Sequence, residues 1–197
     1  MVPAGYLAKR VWVPTPEFGC PRITAVYSVA DCLSEPFGDY VPLFRHNGFR
    51  LFDTEAAVRA AAGELGASLD GTRMFYFEVH SEEWDEDRAW APFAPLPDSV
   101  MQVVPPAARQ LEGFDVVSTF SGPWFCCSPL TCNGLATEIE TNARGLLATL
   151  EQARRLLESG VFRNSEPGPY RIVAVYTLPF ESSEASQSNS PAWRGAE

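Results

Sequence analysis

The sequence predicts an α+β fold, two approximate β-β-β-α-β repeats packed as one unit of sheet plus helices. Three observations carry this reading. Runs mixing β-branched and aromatic residues recur at 23–29, 75–79, 114–120 and 170–178, and such residues suit a pleated surface. Two segments show the three-and-four apolar spacing of a one-sided helix. A shift of 95 residues sets Asn47 on Asn142, Leu51 on Leu146, Thr54 on Thr149, Arg59 on Arg154 and Cys32 on Cys127, the self-similarity expected of a duplicated unit.

The first repeat, 1–80, opens with an N-terminal strand and continues through the run at 23–29 to a turn at Cys32. Two short strands are then expected to join at His46-Asn47-Gly48, because Asn and Gly both tolerate the positive φ of a tight hairpin. A helix follows. Asp53 or Thr54 is its cap, Val58, Ala61, Ala62 and Leu65 are its buried stripe, and Gly66 is its stop. The strand at 75–79 closes the unit.

The second repeat, 114–180, has the same order. Its helix starts on a capping box, Thr149 with Gln152. Leu150, Ala153, Leu156 and Leu157 form the buried stripe, and Gly160 ends it. Between the repeats, 81–113 is an acidic, Trp- and Pro-rich connection, expected to be a long loop. The tail at 181–197 is rich in Ser, Glu and Ala and is expected to be disordered.

The 197 residues carry a net charge of −10, and Lys9 is the sole lysine. Negative potential repels phosphate backbones, which argues against nucleic-acid binding and for a basic protein partner. No apolar run reaches membrane-spanning length, and no export signal is recognisable. The expected setting is therefore the cytoplasm, with the five cysteines Cys20, Cys32, Cys126, Cys127 and Cys132 reduced.

The most unusual stretch places Cys126, Cys127 and Cys132 within seven positions. Buried cysteines behave as small apolar side chains, which gives a structural reading. Cys132 could instead act as a nucleophile beside the Asn133-Gly134 turn, with His46 or His80 as base and Glu138 or Asp115 orienting it. Zinc sites usually need two ligand pairs, and only one cluster is present, so no metal or cofactor is expected. Gly-rich phosphate loops and the common hydrolase and metalloprotease motifs are missing.

The reading that results is a non-enzymatic, acidic interaction protein, immunity-like or regulatory, that binds a basic protein. Glu82, Glu83, Trp84, Asp85, Glu86, Asp87, Trp90 and Phe93 would form its recognition loop, with tryptophans as anchors. Two alternatives stand beside it: the Cys132 enzyme, and a small-molecule site between the repeats.

Val26-Tyr27-Ser28-Val29-Ala30-Asp31-Cys32, Cys127-Ser128-Pro129-Leu130-Thr131-Cys132-Asn133 and Glu166-Pro167-Gly168-Pro169-Tyr170-Arg171-Ile172 resemble motifs of a bacterial protein family with no assigned activity. The resemblance spans about residues 5 to 180 and implies a natural bacterial domain, and no function. From Gly48 to Val79, the order of glycine, Thr-capped helix and closing strand is also similar to ADP-ribosyltransferase-type folds, without a match to their catalytic glutamate.

Overall fold

The structure is a computed structural model and describes residues 1–15, 20–30, 47–93, 102–122 and 124–179. Five strands form one antiparallel sheet: β1 (Val2–Arg10), β2 (Thr72–Asp85), β3 (Ala89–Pro92), β4 (Gln110–Ser118) and β5 (Tyr170–Thr177). The order is β1-β2-β5-β4, and β3 folds back on the end of β2. Helix α1 (Glu55–Leu65) lies between β1 and β2 in the chain, and α2 (Leu150–Glu158) between β4 and β5. The α+β class matches the expectation. His46, Cys32 and the tail at 181–197 lie outside the described residues.

The three-strand lead-in to each helix does not form among the described residues. Residues 23–29 stay out of the sheet. Val26 bridges only Trp12, and the amides of Thr24, Ala25 and Tyr27 donate to the carbonyls of Ala143 and Arg144. Ile23, Ala25, Val26, Tyr27 and Val29 are nonetheless buried. The composition identified a buried extended run, but β propensity measures fit to such surroundings and not pairing.

Both helices start where the capping chemistry places them. The Thr54 hydroxyl accepts from the Ala57 amide, and the Thr149 hydroxyl accepts from the Gln152 amide, each at 3.1 Å. Gln152 reaches back to the Ala148 amide, one residue earlier than a capping box requires. Gly66 takes the left-handed conformation that ends α1. Leu65, expected in the buried stripe, is exposed, while Val58, Ala61 and Ala62 are buried.

Two asparagine-anchored turns dock against the outer strands. The Asn47 side chain donates to the Ala4 carbonyl and accepts from the Phe49 and Leu51 amides. The Asn142 side chain donates to the Glu112 carbonyl and accepts from the Arg144 and Leu146 amides. The expected Asn47-Gly48 hairpin is therefore a different turn, and Arg50, at φ 58, takes the positive-φ position. Phe52 then bridges Tyr6 on β1, and Leu147 bridges Phe114 on β4, which covers part of each sheet edge.

Gly5 and Gly113 sit at bulges in β1 and β4. A Cβ at Gly5 would lie 2.7 Å from the Phe52 carbonyl oxygen and from Leu51 Cβ. At Gly113 it would lie 2.8 Å from the Leu147 carbonyl oxygen and Leu146 Cβ. Both glycines have φ near +140°, at 138 and 147, which side chains rarely adopt.

Side chains alternate across the sheet. Tyr6, Tyr76, Glu78 and Tyr176 share one face by register, as do Val116, Tyr170 and Ile172, which cluster with Ala153 and Leu157 of α2. Phe75, Phe77, Val79, Val173 and Val175 share the other face. Irregular segments cover that face through aromatic contacts: Tyr27 meets Phe75 edge-on at 5.1 Å, and Phe49 stacks on Phe125 at 5.2 Å.

Substitution G113A should lower stability by about 2–4 kcal/mol, since it combines a backbone clash with a disfavoured φ. The urea midpoint should fall while near-wild-type secondary structure survives. G63A, at a helical position with no neighbour within 4 Å, is the control and should change stability by less than about 1 kcal/mol.

Candidate functional site

The segment at 82–93, expected as a loop, is a β-hairpin. Strand β2 runs on to Asp85 and pairs with β3 in the register Glu82–Pro92 to Asp85–Ala89. The acidic stretch can be a strand because pairing with β3 leaves Glu82, Glu83, Trp84 and Asp85 all half-buried. Trp84 and Trp90 meet at 5.3 Å. Phe93 is buried beneath the Arg171 guanidinium, 3.7 Å from its ring centre.

Arginines elsewhere in the fold hold most of the hairpin's carboxylates. Glu82 pairs with Arg154 of α2 at 2.9 Å, Glu83 with Arg171 of β5 at 3.2 Å, and Glu86 with Arg163 at 3.0 Å. Asp85 pairs locally with Arg88 at 3.2 Å. Arg154 also lies 4.0 Å over Trp90, whose indole donates to Glu158 at 2.7 Å. Burial lowers the Arg171 pKa, and the Glu83 carboxylate partly restores it. Glu86 and Asp87 are exposed at the tip.

The structure does not assemble the expected Cys132 nucleophile. Cys132 is disulfide-bonded, and a sulfur in that state is not a thiolate. Its Sγ accepts from the Ser128 amide at 3.5 Å. His80 is buried on β2, with Nδ1 at 3.2 Å from the Glu82 backbone and its ring against Trp90. It bonds the Glu82 backbone instead of the expected carboxylates. Cys20, Cys126 and Cys127 are in the thiol state. The expectation of five reduced thiols thus fails at Cys132. No helix among the described residues is long and apolar enough to cross a membrane.

Two buried polar clusters were not foreseen from the sequence. The first centres on Asp115, which is fully buried on β4. Its carboxylate accepts from the Ser128 hydroxyl at 2.6 Å, the Ser28 hydroxyl at 2.8 Å and the Val29 amide at 3.1 Å. Thr131 extends the network to Ser28 at 3.1 Å. Lys9, also buried, donates to the carbonyls of Ser28 and Ala30. Burial pushes the Asp115 pKa up; the two hydroxyls, the amide and the Lys9 charge pull it down without cancelling that.

The second cluster lies on the helical face. Glu78 accepts from the Tyr76 hydroxyl at 3.2 Å and the Tyr176 hydroxyl at 3.0 Å, and pairs with Arg109 at 3.1 Å. The Arg109 guanidinium lies 5.3 Å from the Tyr76 ring centre and 5.0 Å from that of Tyr176. Burial and the Glu78 charge raise both tyrosine pKa values, so both hydroxyls stay protonated donors at neutral pH. A sequence signal existed for each cluster: Lys9, Glu78 and Asp115 are charged residues inside apolar strands, a position that requires a partner.

Surface hollows lie beside α1, lined by Tyr6, Thr54, Glu55 and Val104, and beside α2, lined by Glu140, Asn142, Thr149 and Arg155. Each sits against one helix. No protein-family model matches the chain, and no curated protein or solved structure matches it.

Asp115 gives a pH signature. Its folded pKa is raised above the unfolded value of about 3.9, so the folded state binds the proton more tightly. Its contribution to stability therefore rises as pH falls through the folded pKa, and levels off below about 3.9. Lowering pH from neutral to about 4 should stabilise the wild type relative to D115N, by at most about 1.4 kcal/mol per pH unit and over the interval between the folded and unfolded pKa values. Urea midpoints of both proteins across this range measure it; an opposite trend would mean that the hydrogen bonds and Lys9 outweigh burial.

Proposed function

We propose that the chain is a non-enzymatic binding protein for a basic protein partner. The observation that supports this most is the charge left over once the internal ion pairs close. Among the described residues, Glu64, Asp70, Asp87, Glu138, Glu140, Glu151 and Glu158 are exposed outside any ion pair. Among the described residues, the exposed basic side chains outside ion pairs are Arg10, Arg22 and Arg155, and Arg22 is spent on the carbonyls of Ala136 and Ile139. A surface with this surplus attracts cations and steers a basic protein toward it.

The hairpin contributes shape more than charge. Its carboxylates are largely neutralised by Arg154, Arg171, Arg163 and Arg88, and Arg154 also lies over Trp90 while Arg171 lies over Phe93. A braced hairpin loses little entropy on binding, which favours its use as a recognition element. Glu86 and Asp87 at its tip are the carboxylates best placed to meet a partner.

We further infer that the two halves derive from one β-α-β unit. Gly5 and Gly113, Asn47 and Asn142, and Thr54 and Thr149 occupy matching roles, with matching hydrogen bonds. The 95-residue shift suits the turn and helix. Aligning Gly5–Phe77 with Gly113–Val175, the paired residues of β1–β2 and β4–β5, requires a longer shift for both strands.

Affinity for a partner purified from native lysate should fall at least about tenfold as salt rises from about 50 to about 300 mM. The double substitution E86K/D87K should weaken binding further and flatten the salt dependence. Binding indifferent to both salt and these substitutions would overturn the reading.

A further inference from the structure

Arg109 belongs to the irregular stretch that precedes β4, and its guanidinium is held in a defined chemical setting. Tyr76 and Tyr176 present their ring faces to it at 5.3 and 5.0 Å, and Glu78 pairs with it at 3.1 Å. Two aromatic faces and one carboxylate form a cage for a flat cation. The cage is built without Arg109. Glu78 is buried and keeps two tyrosine hydroxyls as donors if the arginine leaves. Tyr6, 5.0 Å from Tyr76, adds a third ring beside it.

The stretch that carries Arg109 is held at Val103, which packs against the core, and at the Val104 carbonyl. Residues 102–109 include no helix or strand. Val104 is 63% exposed, and its carbonyl accepts from the Tyr6 hydroxyl at 2.5 Å. The Arg109 side chain is 32% exposed, against 11% for Glu78. The hollow between this stretch and the start of α1 is lined by Tyr6, whose ring meets Tyr76 of the cage.

We propose that Tyr76, Tyr176 and Glu78 form a guanidinium-binding site, which Arg109 fills from within the chain and which an arginine side chain of the basic partner occupies in its place. This deepens the basic-partner reading above and rests on it for the identity of the incoming arginine. A guanidinium fits because it can lie flat on the rings while its N–H groups meet the carboxylate; a lysine ammonium cannot do both. Exchange replaces one cation with another, so Glu78 is never left bare, and the released segment exposes the rings for the partner to cover.

The test uses the full chain with Arg109 removed and N-methylguanidinium as the probe. R109A should bind it saturably, with a Kd of roughly 1–10 mM, and its Tm should rise by about 3–5 °C at ten times that concentration. Methylammonium should give much less. Wild type, with the site filled, and R109A/E78Q, with the carboxylate gone, should show neither effect. If R109A does not fold, R109Q takes its place; recovery of folded protein by N-methylguanidinium supports the site, and failure of recovery counts against it. A folded R109A that responds no better than R109A/E78Q overturns the site, while leaving salt-dependent partner binding standing. Failure of the basic-partner reading is distinct: partner binding would ignore salt, although the cage still took the probe.

Discussion

The outer strands of this sheet are approached by bare backbone, and much of the fold depends on that contact. At Gly5 and Gly113 there is no side chain, so the turns anchored by Asn47 and Asn142 reach the strand backbone itself. Phe52 and Leu147 can then bridge β1 and β4, and the helix caps Thr54 and Thr149 each follow within two residues. The helices are placed by these turns as much as by their own apolar stripes. The asparagines make this possible because one side chain both donates to the strand and accepts from its own turn.

Burial of charge is the second organising theme. Asp115, Lys9, Glu78 and Arg171 all lie within or against the sheet, and each is met by hydroxyls, carbonyls or an opposite charge. Such groups add little net stability over apolar replacements, but removing one partner is costly. They therefore act as registration points. Asp115 ties residues 28–29 and 128 to β4, and Arg171 ties the hairpin to β5.

This pairing also changes what acidity means here. A sequence with a long carboxylate run invites the picture of an open negative loop. In the fold, arginines claim Glu82, Glu83, Asp85 and Glu86, and apart from Asp87 the surplus charge lies elsewhere on the surface. Aromatic shape is thus fixed by ion pairs in the hairpin, while Tyr76, Tyr176 and Glu78 hold Arg109 on the helical face.

Local chemistry was enough for some features, because it depends on neighbours in sequence: the threonine caps, the glycine stop of α1, the buried faces at Val58, Ala153 and Leu157, the closing strands and the α+β class. Residues 23–29 announced burial but not their hydrogen-bond partners, which include Ala143, Arg144 and Asp115, far away in sequence. The hairpin at 82–93, the disulfide state of Cys132, the exposed Leu65 and the two polar clusters were decided by tertiary structure. A single strand cannot reveal whether its charged residue will meet an arginine, a hydroxyl or water, since that choice belongs to the strands and loops packed against it.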